Sequence, residues 1–176
     1  MAEFPHQMSG GMRQRVVGAI ALSAGPELII ADEPTTNLDV TIQAQYLSLL
    51  KEVQRQTGVA LLFITHNLGI VAKMCDRVAV MYAGRIVEQG PVGDIFDQPS
   101  HPYTRALLAS LPRMEQRVDK LASIEGQPPA LYDLPSGCRF APRCAHASGR
   151  CLEEYPARFA ITPQHSADCW LLEDGR

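Results

Sequence analysis

The sequence predicts an α/β fold on a parallel sheet, and three observations carry that prediction. Residues 27–32 and 59–65 are short, continuously apolar runs, the texture of strands buried on both faces. A helical period follows each run, and strand–helix–strand–helix order implies right-handed crossovers within one sheet. Both runs end on chemistry, Asp32 and Glu33 after the first and His66 after the second. Ligands of parallel sheets bind beyond the carboxyl ends of the strands, so chain order alone brings these three residues to one edge.

Each element follows from its local pattern. Residues 12–24 read as a helix through Met12, Val16, Ala19, Ile20 and Ser23, and Gly25 and Pro26 stop it. Residues 40–56 carry the same period in Ile42, Tyr46, Leu49, Leu50 and Val53, ended by Thr57 and Gly58. Residues 67–74 form a short helix with Asn67 as N-cap. Residues 77–81 and 85–89 predict a hairpin around Ala83 and Gly84. Short helices are expected at 91–96 and 104–111, separated by His101, Pro102 and Tyr103. The proline-bearing, mixed-charge stretch 112–137 reads as a connector, and 138–169 as a cysteine-stapled module.

Composition removes several function classes. A net charge of -3 with a pI near 5.9 gives no footprint for a nucleic-acid partner. No apolar run approaches the roughly 18–20 residues needed to span a bilayer. The opening MAEFPHQMSGG lacks a basic region followed by an apolar one, so it is not read as a signal peptide and a cytoplasmic protein is expected. Of five cysteines, Cys138, Cys144, Cys151 and Cys169 crowd the last quarter. Without an export signal, such clustering favours metal over disulfide. Cys75, in an apolar helical context, is expected to be a small buried hydrophobe.

Three constellations carry chemistry. Ser9, Gly10 and Gly11 open the first helix, where backbone amides attract phosphate oxygens and glycine permits close approach. The same residues also suit an ordinary cap and turn. Asp32 suits a hydrated magnesium ion, and Glu33 can polarise a water for attack on a terminal phosphate. A pair of solvated loop acids would read alike. His66 can hold the attacking water or be an ordinary loop histidine, while Asp39 caps the following helix in either reading. The four late cysteines are separated by 5, 6 and 17 residues, without the close C-x2-C pair usual in tight zinc sites.

The segments MSGGMRQR, LIIADEPTTNLD and FITHN, in this order, resemble the ATP-binding subunits of ABC transporters over residues 4–90. The resemblance implies a signature motif containing Ser9, Gly10, Gly11 and Gln14, and a Walker B strand with Asp32 at magnesium and Glu33 catalytic. It also implies a D-loop with Asp39, and His66 as the switch histidine. Met8 stands where leucine is commonest in the family, and Asn37 where a small residue is usual. PVGDIFDQPSHPYTRALLASLP, SGCRFAPRC and HSADCW look like the C-terminal extension of dipeptide and oligopeptide importers, with nickel the alternative solute. Members of this subfamily can hold a 4Fe–4S cluster. A cluster on Cys138, Cys144, Cys151 and Cys169 is therefore implied, with zinc second and His146 and His165 as spare ligands.

The expected protein is thus a partial P-loop NTPase with a small cysteine-rich C-terminal extension, the ATP-hydrolysing part of a peptide importer. Residues 1–90 would be the ATPase part, 91–135 a helical connector and 136–176 the metal-binding extension. ATP and Mg2+ are implied, as are a second ABC ATPase subunit in a head-to-tail dimer and transmembrane permease subunits. The chain would sit peripherally at the cytoplasmic face of the membrane. No G-x-x-x-x-G-K-[ST] phosphate loop occurs in the sequence. The chain therefore resembles the C-terminal part of a longer subunit, marginally stable and with an exposed apolar sheet edge. Two other readings remain at this level: a catalytically incompetent chain that only binds a partner subunit, and a metal-binding interaction module.

Overall fold

A computed structural model describes residues 4–36, 38–111 and 123–173. Asn37, and residues 112–122 of the expected connector, lie outside the described residues. The chain divides into two compact units, residues 1–75 and 76–176.

The first unit contains α1 (Gly10–Ser23), β1 (Leu28–Asp32), α2 (Val40–Thr57), β2 (Ala60–Ile64) and α3 (Leu68–Met74). The strands β1 and β2 pair in parallel, with Leu28 opposite Ala60 and Asp32 opposite Ile64. Side-chain oxygens start the helices. Ser9 accepts from the Met12 amide, Asp39 from Ile42, and Asn67 from Gly69 and Ile70. Gly58 ends α2 in the left-handed conformation, with φ 74°, as its position after Thr57 predicts. Helix α1 meets α2 through a glycine: a Cβ on Gly11 would lie 2.6 Å from Cγ2 of Ile42.

The expectation of strands buried on both faces is not met. Side chains alternate between buried Ala31 and half-buried Ile29, Leu61 and Phe63 on one face and exposed Leu28, Ile30, Leu62 and Ile64 on the other. A two-stranded sheet has one covered face, so a continuously apolar run leaves its other face open. Helix α1 likewise buries none of its residues, and Val16, Val17 and Ile20 are exposed. Cys75, expected to be buried, is half-exposed beyond the end of α3.

The second unit contains β3 (Arg77–Tyr82), β4 (Arg85–Pro91), α4 (Val92–Asp97), α5 (Pro102–Ala109), α6 (Gly149–Glu153), β5 (Arg158–Thr162) and β6 (His165–Asp168). Its antiparallel sheet runs β3-β4-β6-β5. The expected hairpin is present, and both of its turn residues have positive φ, 46° at Ala83 and 81° at Gly84. The short helix expected at 104–111 instead runs Pro102–Ala109, with Pro102 in its first turn. Strands β5 and β6 are absent from the sequence expectation. Their sequences, RFAIT and HSAD, are short and lack a run of alternating apolar residues, yet β6 pairs with β4 across Glu88–Ala167 and Gln89–Ser166. Val80, Tyr82, Val87, Ile95 and Phe140 form the core. Tyr82, Tyr103 and Phe140 pack ring against ring, with centroids 4.6 to 5.4 Å apart.

Gly137 sits where the chain before Cys138 crosses α6, and an added Cβ would lie 2.3 Å from the Cys151 carbonyl oxygen. Backbone cannot yield there as a flexible side chain would. Gly137→Ala is expected to destabilise the second unit by about 1–3 kcal/mol, read as a lower midpoint in urea. An unchanged midpoint would show that the crossing is slack.

Candidate functional site

The end of β1 and the end of β2 meet as chain order requires. The Glu33 amide donates to the Ile64 carbonyl at 2.9 Å, tying the two strand ends together. Glu33 has a φ of 45°, a left-handed conformation that is strained for a residue with a side chain. This geometry is accompanied by a dense set of bonds to its carboxylate. Oε1 lies 2.7 Å from Nδ1 of His66 and accepts from the His66 amide at 3.3 Å, while Oε2 accepts from the Thr36 hydroxyl at 3.0 Å. The His66 hydrogen bond, opposed by partial desolvation, holds the Glu33 carboxyl below the usual carboxylate range. The His66 side chain remains 86% exposed, leaving the ring accessible beside that carboxylate.

Asp32 stands next to Glu33, exposed, and its carboxylate makes no hydrogen bond or ion pair among the described residues. An exposed, unengaged carboxylate fits a magnesium ion that keeps part of its water shell. Ser9, Gly10 and Gly11 form the start of α1, with the Ser9 hydroxyl oxygen 3.3 Å from the Met12 amide. They share no hydrogen bond with Glu33 or His66 among the described residues. Gln14 is half-buried on α1, and its carbonyl lies 3.5 Å from the Tyr46 hydroxyl. Asp39 spends its carboxylate capping α2, at 2.9 Å from the Ile42 amide.

In the second unit, all four late cysteines line one cavity of about 480 Å3, together with His101 and Phe140. The backbone brings two of them together, since the Cys138 amide donates to the Cys151 carbonyl at 2.8 Å. Burial raises the Cys138 and Cys144 thiols. Burial, reinforced by the other three thiols, pushes Cys169 up to about 11. Among the described residues, no three His, Cys, Asp or Glu side chains converge closely enough to hold one metal ion. His146 borders the cavity, but His165 does not. His165 is buried and bonded through Nε2 to Glu88, so it is not a spare ligand.

Residues 1–36 match the family described as "ABC transporter", and residues 87–151 match "Oligopeptide/dipeptide transporter, C-terminal region". The chain belongs to the ABC transporter ATP-binding family. It is 53% identical over 173 residues to the dipeptide transport ATP-binding protein DppD of Bacillus subtilis, covering 98% of this chain and 52% of that protein. The oligopeptide transport ATP-binding protein AppD of the same organism is 50% identical over 174 residues, covering 99% and 53%. The chain thus spans about half the length of the curated relatives it matches. Among solved structures, cbiO1 of Clostridium perfringens, part of the ABC transporter complex cbiONQ, aligns with a TM-score of 0.50 and 36% identity. That alignment covers 53% of this chain and 37% of that one.

The second match in this ABC chain, residues 87–151, contains two residues that sequence reasoning passed over. Glu88, on β4, is buried and accepts from the Ser100 amide at 2.7 Å and the His101 amide at 3.0 Å. It also lies 2.8 Å from Nε2 of His165. His101, 1% exposed, accepts from the Tyr103 amide through Nδ1 at 3.0 Å, and burial lowers its pKa to about 4. In sequence, Glu88 looks like an outward-facing strand residue. The available signal was the pair Ser100 and His101 just before Pro102, whose two backbone amides need an acceptor once buried.

Two expectations follow. Glu88→Leu removes the acceptor of two buried amides and a buried ring, and is expected to cost the second unit about 3–5 kcal/mol in chemical denaturation. A loss below about 1 kcal/mol would mean that water replaces the carboxylate. For Glu33, the lowered pKa makes its contribution present above the ordinary carboxylate range and lost as pH falls through the folded-state value. In His66→Ala, the Glu33 carboxyl carbon is expected to titrate at higher pH by NMR. An unmoved titration would remove His66 as the cause.

Proposed function

We propose that this chain supplies ATPase residues to an ABC importer of di- and oligopeptides. The contact between Glu33 and His66 at the paired strand ends carries this reading, and the names of the relatives point to peptides as the solute. ATP provides the phosphoanhydride to be cleaved, and Asp32 would hold a Mg2+ whose charge would offset that of the phosphates. Glu33 accepts a proton from the attacking water, and the accessible His66 ring holds that water and the terminal phosphate in line. Ser9, Gly10 and Gly11, with Gln14, face a nucleotide held by a second ABC ATPase subunit, arranged head to tail, with Asp39 at the junction. Permease subunits in the membrane receive the stroke, and the chain works peripherally at the cytoplasmic face. No described helix is long and apolar enough to cross a membrane.

In functional terms, residues 1–90 form the ATPase part, 91–135 the connector and 136–176 a cysteine-rich extension. For that extension we propose a 4Fe–4S cluster on Cys138, Cys144, Cys151 and Cys169. The donor set supports it: four soft thiols around one half-buried cavity. Zinc is the alternative, and a single ion would require sulfurs closer together than these.

The test pairs these 176 residues, which contain no P-loop motif, with a subunit that carries one. Vanadate-sensitive phosphate release is expected to be absent from the chain alone. It should rise when a P-loop-containing subunit of a peptide importer is added, and Glu33→Gln should lower the stimulated rate by at least about 100-fold. Turnover by the chain alone would overturn the dependence, and stimulation that survives Glu33→Gln would overturn the assigned base. Uptake of nickel rather than peptide by the assembled importer would replace the solute.

A further inference from the structure

The segment containing His101, Pro102 and Tyr103 has no role in the ATPase reading, yet it forms one wall of the cysteine cavity. Ser100, His101, Pro102 and Arg105 all line that space alongside the four cysteines. The state of the His101 ring follows from its hydrogen bond. Nδ1 accepts from the Tyr103 amide, so a neutral ring carries its proton on Nε2. Nε2 has no partner among the described residues, and the ring is otherwise enclosed. The open space that His101 borders is the cavity. Arg105 lies close enough to influence the ring electrostatically, and its Nε donates to the Pro99 carbonyl at 2.7 Å. The rest of its guanidinium makes no hydrogen bond among the described residues. Arg150, also at the cavity, is committed to Glu154, Glu173 and the ring of Trp170.

We propose that His101 and Arg105 are the donors that set the reduction potential of an anionic cluster held by the four cysteines. His101 would donate through Nε2–H to a cluster or cysteinyl sulfur, and Arg105 would add positive charge. This inference rests on the cluster reading given above. One-electron reduction, with dithionite as the donor, adds a negative charge to the cluster and breaks no bond. Hydrogen bonds to sulfur and nearby positive charge stabilise that added charge, so they raise the potential. Glu88 positions His101 by holding its amide and so acts at one remove.

The test uses the full 176-residue chain, reconstituted anaerobically with ferrous iron and sulfide. Iron and acid-labile sulfide per chain report loading, and an EPR-monitored dithionite titration reports the potential. Trp170, the sole tryptophan, lines the cavity, so quenching of its fluorescence gives a further measure of occupancy. His101→Asn keeps an oxygen that can cap the Tyr103 amide but is too short to donate into the cavity. Arg105→Gln changes an exposed position. Both variants are expected to load like the parent chain and to have lower potentials, His101→Asn by the larger shift. Equal loading with unchanged potentials would overturn this inference and leave the cluster reading standing. Loss of the cluster in His101→Asn, with loading and potential unchanged in Arg105→Gln, would reassign His101 to structure alone and also overturn it. Failure of the parent chain to take up sulfide with iron would overturn both readings.

Discussion

The second unit depends on one buried carboxylate. Glu88 lies on a central strand, almost without solvent contact, and a bare carboxylate there would be prohibitively costly. It is tolerated because three donors surround it: the amides of Ser100 and His101, and the ring of His165. Those donors come from the turn before α5 and from β6, segments far apart in sequence. Satisfying one side chain therefore fixes where the hairpin, the HPY turn and the tail strand meet. It also fixes the His101 ring, which caps α5 and borders the thiol cavity.

The first unit is organised by a different compromise. Glu33 holds a left-handed backbone that costs of order 1–3 kcal/mol for a residue with a side chain. Its amide reaches across to β2, and its carboxylate binds both the backbone and the ring of His66. A glycine would adopt this φ without strain but would have no carboxylate to offer. The acid is held at the joint between two strand ends, where a parallel sheet presents its chemistry. Gly11 faces a similar double demand. Its missing side chain allows contact with Ile42, while its place in the first turn of α1 leaves its own amide without a partner inside the helix.

Local patterns made much of this legible in the sequence. Ser9, Asp39 and Asn67 were readable as caps because capping is a contact within three residues. Ala83 and Gly84 were readable as a turn for the same reason. The meeting of Glu33 with His66 followed from topology, since two parallel neighbours end on the same side. Contacts between distant segments were not legible. Nothing in HSAD marks it as a strand, because its support comes from pairing with β4 and from the Glu88–His165 bond. Continuous apolarity also misled at β1 and β2, where the run predicts two covered faces and the sheet provides one.

The spacing of the cysteines has its explanation in the same distinction between local and distant order. A C-x2-C pair places two sulfurs on one turn and suits a single ion, because the turn alone brings them close. Here Cys138 and Cys144 flank the short turn at Ala141–Arg143, Cys151 lies on α6, and Cys169 follows β6. Their approach is set by tertiary packing: the Cys138–Cys151 backbone bond, the close crossing at Gly137, and the β4–β6 ladder leading to Cys169. Such a frame holds four sulfurs around a volume rather than at a point. That arrangement suits a ligand with separated attachment points. Burial raises the thiols of Cys138, Cys144 and Cys169, so a metal-bearing ligand would have to supply the free energy of deprotonating them.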